Sequence, residues 1–475
     1  MNFFSRGVRR AAPLMVCAIS LCVSVACDSE RGGSLFSNTP PETYLSLYPD
    51  SGIPDTSLAP TTSQQRLHWW GDDPDGYLTG FIFSWSQDVP DPETWTYTTA
   101  YESTFALAIA GSETTYTFRI SAVDDAGDVD PTPAVQHFPV VNSAPEVSFI
   151  LGSDVPETTF TVATLFWTGT DFDGDDTIER YYWTLDDTTR SIDEWHTLPS
   201  DADMITLDAD SGLVEGDHVF YLMAEDIAGA RSTIARMPTD SLDVWHVREP
   251  MGDILLVDDY AVVDAAPEFY SSVISSIGEY SLWDIRSDRN GDGNPDLLPF
   301  STVTLTETLK LFSTVVWYGD QGSDLTDISI AISEFVDEGG RAVLSFTLPE
   351  TFNNIGDPLD FVGVDSVTSS ISIILNGTKI LPTDPDSLDL PQLDPLPELT
   401  VESSSGALFF VWGMEPLPSA RILYRLDEGD FWEGRPVIGV WHSSNRIAFF
   451  EFPLHQVNQD GNASELLSLV LDALG

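Results

Sequence analysis

Cysteine is almost missing from this chain of 475 residues: the three present, Cys17, Cys22 and Cys27, all lie near its start. Beyond residue 27 no disulfide can close, no thiol can act as nucleophile and no thiolate can hold a metal. Lysine is nearly absent as well, limited to Lys310 and Lys379. Lysine and arginine together number 20 against 76 acidic side chains, for a formal net charge of −56. A field of that sign repels nucleic-acid phosphates and anionic lipid, so neither is expected as a partner. Its plain consequence is solubility in a saline or calcium-containing medium, where repulsion is screened within ~8–10 Å. Its sharper consequence is cation binding by particular loops. Long apolar runs are missing except near the N-terminus, where Ala11 to Val23 follows Arg6, Arg9 and Arg10. That run is shorter than the ~20 residues a membrane-spanning helix needs.

Basic residues, a short apolar stretch and then small residues are the layout of a secretory signal. Here the small residues are Ser24-Val25-Ala26, and Cys27 follows. With that cysteine the segment resembles a bacterial lipobox, although Ser24 stands where leucine is commonest. The resemblance implies cleavage before Cys27, diacylglycerol on its thiol and attachment to a membrane through the lipid. An ordinary signal peptide with a chance cysteine is the plainer alternative. A single acyl chain holds marginally, at ~0.8 kcal/mol per buried CH₂, whereas two or three anchor stably. Asp28 resembles the enterobacterial signal for inner-membrane retention, a rule that other bacteria do not all follow. A bacterial cell-envelope location is therefore expected, with inner or outer membrane open. Residues 1–26 read as signal peptide. Residues 27–43, rich in Gly, Ser, Asn and Pro, read as a lipidated flexible tether.

Two copies of one pattern come next. Trp69-Trp70-Gly71-Asp72-Asp73-Pro74-Asp75-Gly76 leads into Phe81-Ile82-Phe83-Ser84-Trp85, and Trp167-Thr168-Gly169-Thr170-Asp171-Phe172-Asp173-Gly174 leads into Tyr181-Tyr182-Trp183. Each then meets a lone tryptophan, Trp95 or Trp195, and closes on an alternating strand with an acidic turn. Those turns are Asp124-Asp125-Ala126-Gly127 and Asp226-Ile227-Ala228-Gly229. Period-two alternation between turn residues means strands with one buried face, and several in ~100 residues mean a sandwich. Residues 44–142 and 143–249 both resemble fibronectin type III or immunoglobulin-like modules, with Asn142 to Pro145 as the joint. The Asp-x-Asp-Gly turns invite a calcium reading, since hard cations want clustered oxygens. Tight hairpins need the same residues. The tryptophans could stack on sugar rings, but alternation places most of them in the core.

After Val247-Arg248-Glu249-Pro250 the pattern changes. Gly252 to Asp259 is a short apolar run ending in carboxylates, as a buried parallel strand would be. Pro267 to Ile277, Asp324 to Glu338 and Ser464 to Leu474 carry apolar residues at helical spacing. Tyr280 to Ile285, Thr314 to Tyr318, Arg341 to Phe346, Val437 to Trp441 and Ile447 to Phe452 read as strands. Alternation of strand and helix predicts a doubly wound, largely parallel α/β domain over 250–475, with a β-rich insertion. The expected fold class is thus two all-β sandwiches followed by this α/β domain. Ile254 to Asp259, Val315 to Gly319, Phe335 to Arg341 and Ile447 to His455 make it resemble the class I glutamine amidotransferase-like fold. Enzymes of that family carry a cysteine on a Gly-flanked turn after a strand and a His with an adjacent Glu near the end. Here the strand runs into Leu344-Ser345-Phe346-Thr347, without cysteine or small neighbours for a strained elbow. His455 lacks the adjacent Glu. The resemblance implies the fold and not the activity, so no catalytic residue is assigned.

The best local site is Asp288-Arg289-Asn290-Gly291-Asp292-Gly293-Asn294-Pro295-Asp296. Oxygen side chains at Asp288, Asn290, Asp292, Asn294 and Asp296, with a glycine sixth, match the first nine positions of an EF-hand-type Ca²⁺ loop. It resembles a dockerin or thrombospondin-repeat loop, except that Pro299 stands where the bidentate Glu belongs. Any affinity should accordingly be weak, ~10⁻⁴–10⁻³ M. The sequence therefore predicts a lipid-anchored envelope protein displaying non-catalytic binding or structural modules toward protein or glycan. The alternative is an envelope-polymer or polysaccharide hydrolase that draws on His442, His455, Ser345 or Ser443 and nearby carboxylates.

Overall fold

The computed structural model describes residues 37–47, 64–86, 94–107, 113–241, 243–286, 296–320, 325–349, 359–384, 388, 390–393 and 395–475. They belong to two compact units, one built mainly from the first β module and one carrying the chain through Gly475. Among the described residues no helix is long and apolar enough to cross a membrane.

The first module contains β1 (Glu42–Leu47), β2 (Gln64–Asp72), β3 (Leu78–Ser86), β4 (Thr96–Thr98), β5 (Glu102–Ala106), β6 (Glu113–Asp124) and β7 (Ala134–Val141). They form a three-stranded sheet, β1-β2-β5, and a four-stranded sheet, β4-β3-β6-β7. Alternation turns Leu67 and Trp69 of β2 and Phe118, Ile120 and Ala122 of β6 inward, all with no exposed surface. Trp69 packs at 5.9 Å from Phe118 and edge-on to Phe81 at 6.4 Å.

The second module contains β8 (Glu146–Phe149), β9 (Thr158–Phe160), β10 (Ala163–Thr170), β11 (Ile178–Leu185), β12 (His196–Pro199), β13 (Met204–Leu207), β14 (Gly216–His218), β15 (Phe220–Asp226), β16 (Ala235–Met237) and β17 (Trp245–Arg248). Sheets β13-β10-β8 and β12-β11-β15-β16 face each other across a core of Leu165, Trp167, Tyr181, Trp183 and Leu222. The third sheet, β14-β17-β9, adds Trp245 and Val247 to that core. Trp69, Trp167 and Trp183 are core residues, as alternation predicts, while Trp85 is half-buried. The glycine two residues after the first tryptophan is required: a Cβ on Gly169 would overlap the Tyr181 hydroxyl, and one on Gly71 would press on the Glu42 carbonyl.

The remaining chain contributes β18 (Ile254–Asp259), β19 (Tyr280–Asp284), β20 (Thr314–Gly319), β21 (Arg341–Ser345), β22 (Val364–Leu375), β23 (Lys379–Pro382), β24 (Leu399–Thr400), β25 (Ala407–Pro416), β26 (Arg421–Leu426), β27 (Val437–Trp441) and β28 (Ile447–Phe450). Five of them, in the order β19-β18-β20-β21-β28, run parallel. The helices are α1 (Ala266–Ile277), α2 (Thr302–Lys310), α3 (Leu325–Asp337) and α4 (Asn462–Leu474). Leu256, Val316 and Val343 face α1 and α4, whereas Leu255, Val257, Val315 and Trp317 face α2 and α3. Successive strand residues therefore bury on opposite faces, which is why these strands read as continuous apolar runs.

The structure departs from the sequence expectation in three places. Helix α2 carries no apolar stripe, because Thr304, Thr306 and Thr308 make up much of its buried face. The β-rich insertion is built on a long antiparallel pair, β22 with β25, whose bulges after Val364 and Val367 break the period of two. Its strands extend the parallel sheet through β27, which pairs antiparallel with β28. The boundary near 249 is also not a clean one. Phe160 of β9 is buried in the core of the following domain, edge-on to Trp283 at 5.9 Å and to Phe312 at 5.3 Å.

Candidate functional site

The carboxyl ends of parallel strands are where such sheets place ligand and catalytic sites. Ser345 ends β21, and the segment after β28 carries Glu451, Phe452 and His455 to the same edge. His455 Nε2 lies 3.0 Å from Asp264 Oδ2, and the ring is 4 % exposed. Asp264 also accepts from the Tyr260 hydroxyl at 3.1 Å and the Ala266 N–H at 2.8 Å. Burial raises this carboxyl, but His455 and the Ala266 N–H outweigh it and hold Asp264 below the ordinary carboxylate range. The other ring nitrogen, Nδ1, is buried with no hydrogen-bond partner. Among the described residues no hydroxyl lies within hydrogen-bond reach of it.

Ser345 has no exposed surface. Its hydroxyl donates to the Phe452 carbonyl at 3.0 Å and accepts from the Leu454 N–H at 3.1 Å, with the Tyr270 hydroxyl 2.7 Å away. Tyr270 is stacked on Tyr318 at 4.0 Å, and burial pushes its hydroxyl well above the usual phenol range. This serine fastens the segment after β28 to β21; it is not presented to a substrate. His442 lies in the β27–β28 turn, at the amino end of β28 and so at the opposite end of the sheet from His455. Its Nδ1 is 2.8 Å from Ser444 Oγ, and burial lowers its pKa. Ser443 is exposed. The structure brings none of these histidines and hydroxyls into a catalytic arrangement.

The two acidic turns have one geometry repeated. In the first module Asp124 Oδ1 accepts from the N–H groups of Ala126 and Asp128 at 2.9 and 2.8 Å. In the second, Asp226 Oδ1 accepts from Ala228 and Ala230 at 2.9 and 2.8 Å. Gly127 and Gly229 close the turns at φ 90° and 85°, in the left-handed region that favours glycine. The other carboxylate oxygen takes an asparagine from the segment entering the module: Asn38 Nδ2 at 2.7 Å in one, Asn142 Nδ2 at 2.6 Å in the other. One residue further on, the backbone N–H of Thr39 or Ser143 donates to Asp75 or Asp173 of the Asp-x-Asp-Gly turn. These carboxylates therefore act as acceptors that fix how the chain enters each module. Asp73 Oδ2 and Asp171 Oδ2, at equivalent positions, are buried without a hydrogen-bond partner. Burial, with Asp173 and Asp226 nearby, raises the Asp171 carboxyl. Among the described residues no three acidic, histidine or cysteine side chains converge to hold a metal.

Asp288, Asn290, Asp292 and Asn294 lie outside the described residues, as does Cys27. Asp296 is described: it is 4 % exposed, its Oδ2 lies 2.9 Å from Arg248 Nη2, and its N–H donates to the Asp284 carbonyl at 2.7 Å. Several structurally central groups gave no sequence signal, namely Asp264, Tyr260, Tyr270 and Glu451. Apart from Tyr260 and Asp264, which meet across four residues, their partners are distant in the chain, 191 residues for Asp264 and His455.

No family model matches the chain, and no curated protein does either. Among solved structures, the fibronectin(III)-like modules of Clostridium thermocellum CbhA are 18 % identical, with a TM-score of 0.18, over 43 % of this chain and 95 % of theirs. A two-domain fibronectin type III segment of chicken tenascin is 17 % identical, with a TM-score of 0.22, over 42 % of this chain and 97 % of its own. PurLQS from Thermotoga maritima is 10 % identical, with a TM-score of 0.30, over 47 % of this chain and 100 % of the matched one. The scores are low, and nothing about binding or activity passes from these proteins to this chain.

Proposed function

We propose that this chain is a bacterial cell-envelope lipoprotein that displays non-catalytic binding or structural modules toward protein or glycan, held to a membrane by lipid on Cys27. The observation that carries the non-catalytic part is at the carboxyl edge, where Ser345 is wholly enclosed and the His455 ring is 4 % exposed. A general base needs hydrogen-bond reach to a proton on the substrate, and the enclosed His455 ring does not have that access. The C-terminal region is proposed as a degenerate class I glutamine amidotransferase-like domain. Its support is the parallel strand order with helices on both faces and a buried serine at the end of β21, the strand after which the family's enzymes carry cysteine. Weak Ca²⁺ binding at Asp288, Asn290, Asp292, Asn294 and Asp296 belongs to the same proposal and rests on the oxygen spacing of that loop.

Expression of the wild type and Cys27→Ser in a bacterium, followed by fractionation and hydrolysis assays on envelope polysaccharide, tests the reading. The wild type should sediment with membranes, the variant should be released, and neither should cleave the polymer. Cleavage lost on His455→Gln would overturn the non-catalytic reading. A Cys27→Ser protein that stays on the membrane would overturn the lipid anchor.

A further inference from the structure

The loop between β26 and β27 roofs an open cleft of about 590 Å³ in the C-terminal domain, within the ~300–1,000 Å³ range of small-ligand sites. Arg425, Arg435, Glu415, Glu433, Phe431 and Trp432 contribute its distinctive chemistry. Phe431 is 62 % exposed, although a phenylalanine gains most when its ring is covered. Trp432 is half-buried and held in place, its indole N–H donating to the Asp427 carbonyl at 2.9 Å. The two rings offer a partly fixed apolar surface beside charged side chains of both signs.

Arg425 decides the chemical class. Acidic residues outnumber basic ones 76 to 20 in this chain, and Arg180, Arg190, Arg231, Arg248, Arg286 and Arg435 all have carboxylate partners. Among the described residues Arg236, Arg341, Arg421, Arg425 and Arg446 have none within 4.0 Å, and of these Arg425 lines the cleft. Its Nη1 donates to the Arg435 carbonyl at 3.0 Å, which fixes the guanidinium and leaves the rest of its planar donor fork to the cleft. Such a fork matches a carboxylate bidentately. Arg435 is engaged by Asp427 at 3.2 Å, so among the described residues lining the cleft Arg425 is the cation without a carboxylate partner. Glu415 and Glu433 are exposed acceptors suited to hydroxyl groups.

Resting on the display reading above, we propose that this cleft binds a short acidic saccharide, with Phe431 against a sugar ring and Arg425 on its carboxylate. The wider negative field disfavours long polyanions, which restricts the ligand to a few sugar units.

The test is calorimetric titration of the full chain with trigalacturonate, using maltotriose as the neutral counterpart. Trigalacturonate should bind at least tenfold tighter. Arg425→Gln should lose at least tenfold for the acidic sugar and little for the neutral one, Arg425→Lys should fall between, and Phe431→Ala should weaken both. Circular dichroism should match the wild type for each variant. Absence of heat with trigalacturonate up to millimolar concentration, or equal binding by Arg425→Gln, would overturn the proposal and leave the display reading standing. Cleavage of trigalacturonate would instead overturn the display reading and keep the cleft as a saccharide site. Preference for an acidic peptide over trigalacturonate would overturn the saccharide assignment.

Discussion

Glu451 follows β28 with no exposed surface, its Oε1 accepting from the Leu348 N–H at 3.0 Å and its Oε2 from the Trp412 N–H at 2.7 Å. Burial pushes the carboxyl well above the ordinary carboxylate range, and the two N–H donors only partly offset it. A group whose pKa is raised on folding favours the folded state below its unfolded pKa. That contribution is lost as pH rises from the ordinary carboxylate range through the raised value. The wild type should therefore lose stability relative to Glu451→Gln over that window, by about 1.4 kcal/mol per pH unit. Urea denaturation of both proteins at successive pH values checks this; a difference that is flat or of opposite sign would show that the buried carboxyl stays ionised. The sequence around Glu451 is an apolar strand end, and its partners lie 103 and 39 residues away. Its burial was therefore not legible beforehand.

At the scale of elements, the repeated turns make the clearest case of a motif whose residues were visible and whose role was not. Spacing alone leaves the Asp-x-Asp-Gly segments open between cation binding and turn formation and gives the Asp-x-Ala-Gly segments only as acidic turns. Folding sets Asp124 and Asp226 on backbone N–H groups and on the asparagine before each module, so the acidic residues serve as turn and entry anchors. Removing either carboxylate strands two N–H donors that it satisfies. Asp226→Ala and Asp124→Ala should each cost about 1–3 kcal/mol, and because the two geometries agree, the costs should lie within about 1 kcal/mol of each other. Limited proteolysis of the full chain, read at the 126–130 and 228–232 turns, measures both. A loss in one module with none in the other would refute the equivalence. Helix α2 shows the opposite relation. Its threonines hide the helical period, yet Thr308 Oγ1 donates to the Thr304 carbonyl at 2.8 Å and Thr304 Oγ1 accepts from the Thr164 N–H at 3.0 Å. Thr304 and Thr308 bury there because each finds a partner, whereas the Thr306 hydroxyl is buried without one.

For the molecule as a whole, the second module and the domain that follows it share an interior. Phe160 leaves its own sandwich to pack on Trp283 and Phe312, the Arg248 guanidinium lies 4.3 Å over its ring, and Arg248 pairs with Asp296. Phe160→Ala should cost about 3–5 kcal/mol at this contact and separate the unfolding of the two bodies. Calorimetry should show one cooperative transition for this part of the wild type and two for the variant. A single unchanged transition would mean that the joint does not couple them.

The chain's order alone determined the module repeat, the inward-facing tryptophans and the alternation of strand and helix after Pro250, because these depend on periodicities of two and 3.6 that short segments carry by themselves. Composition likewise settled the scarcity of thiols and the acidic field. Tertiary structure decided which of the reactive-looking residues meet. It enclosed Ser345, placed His442 and His455 at opposite ends of one strand, and set an arginine without a carboxylate in a cleft beside two rings. Those outcomes depend on contacts between residues far apart in the chain, which no local pattern encodes.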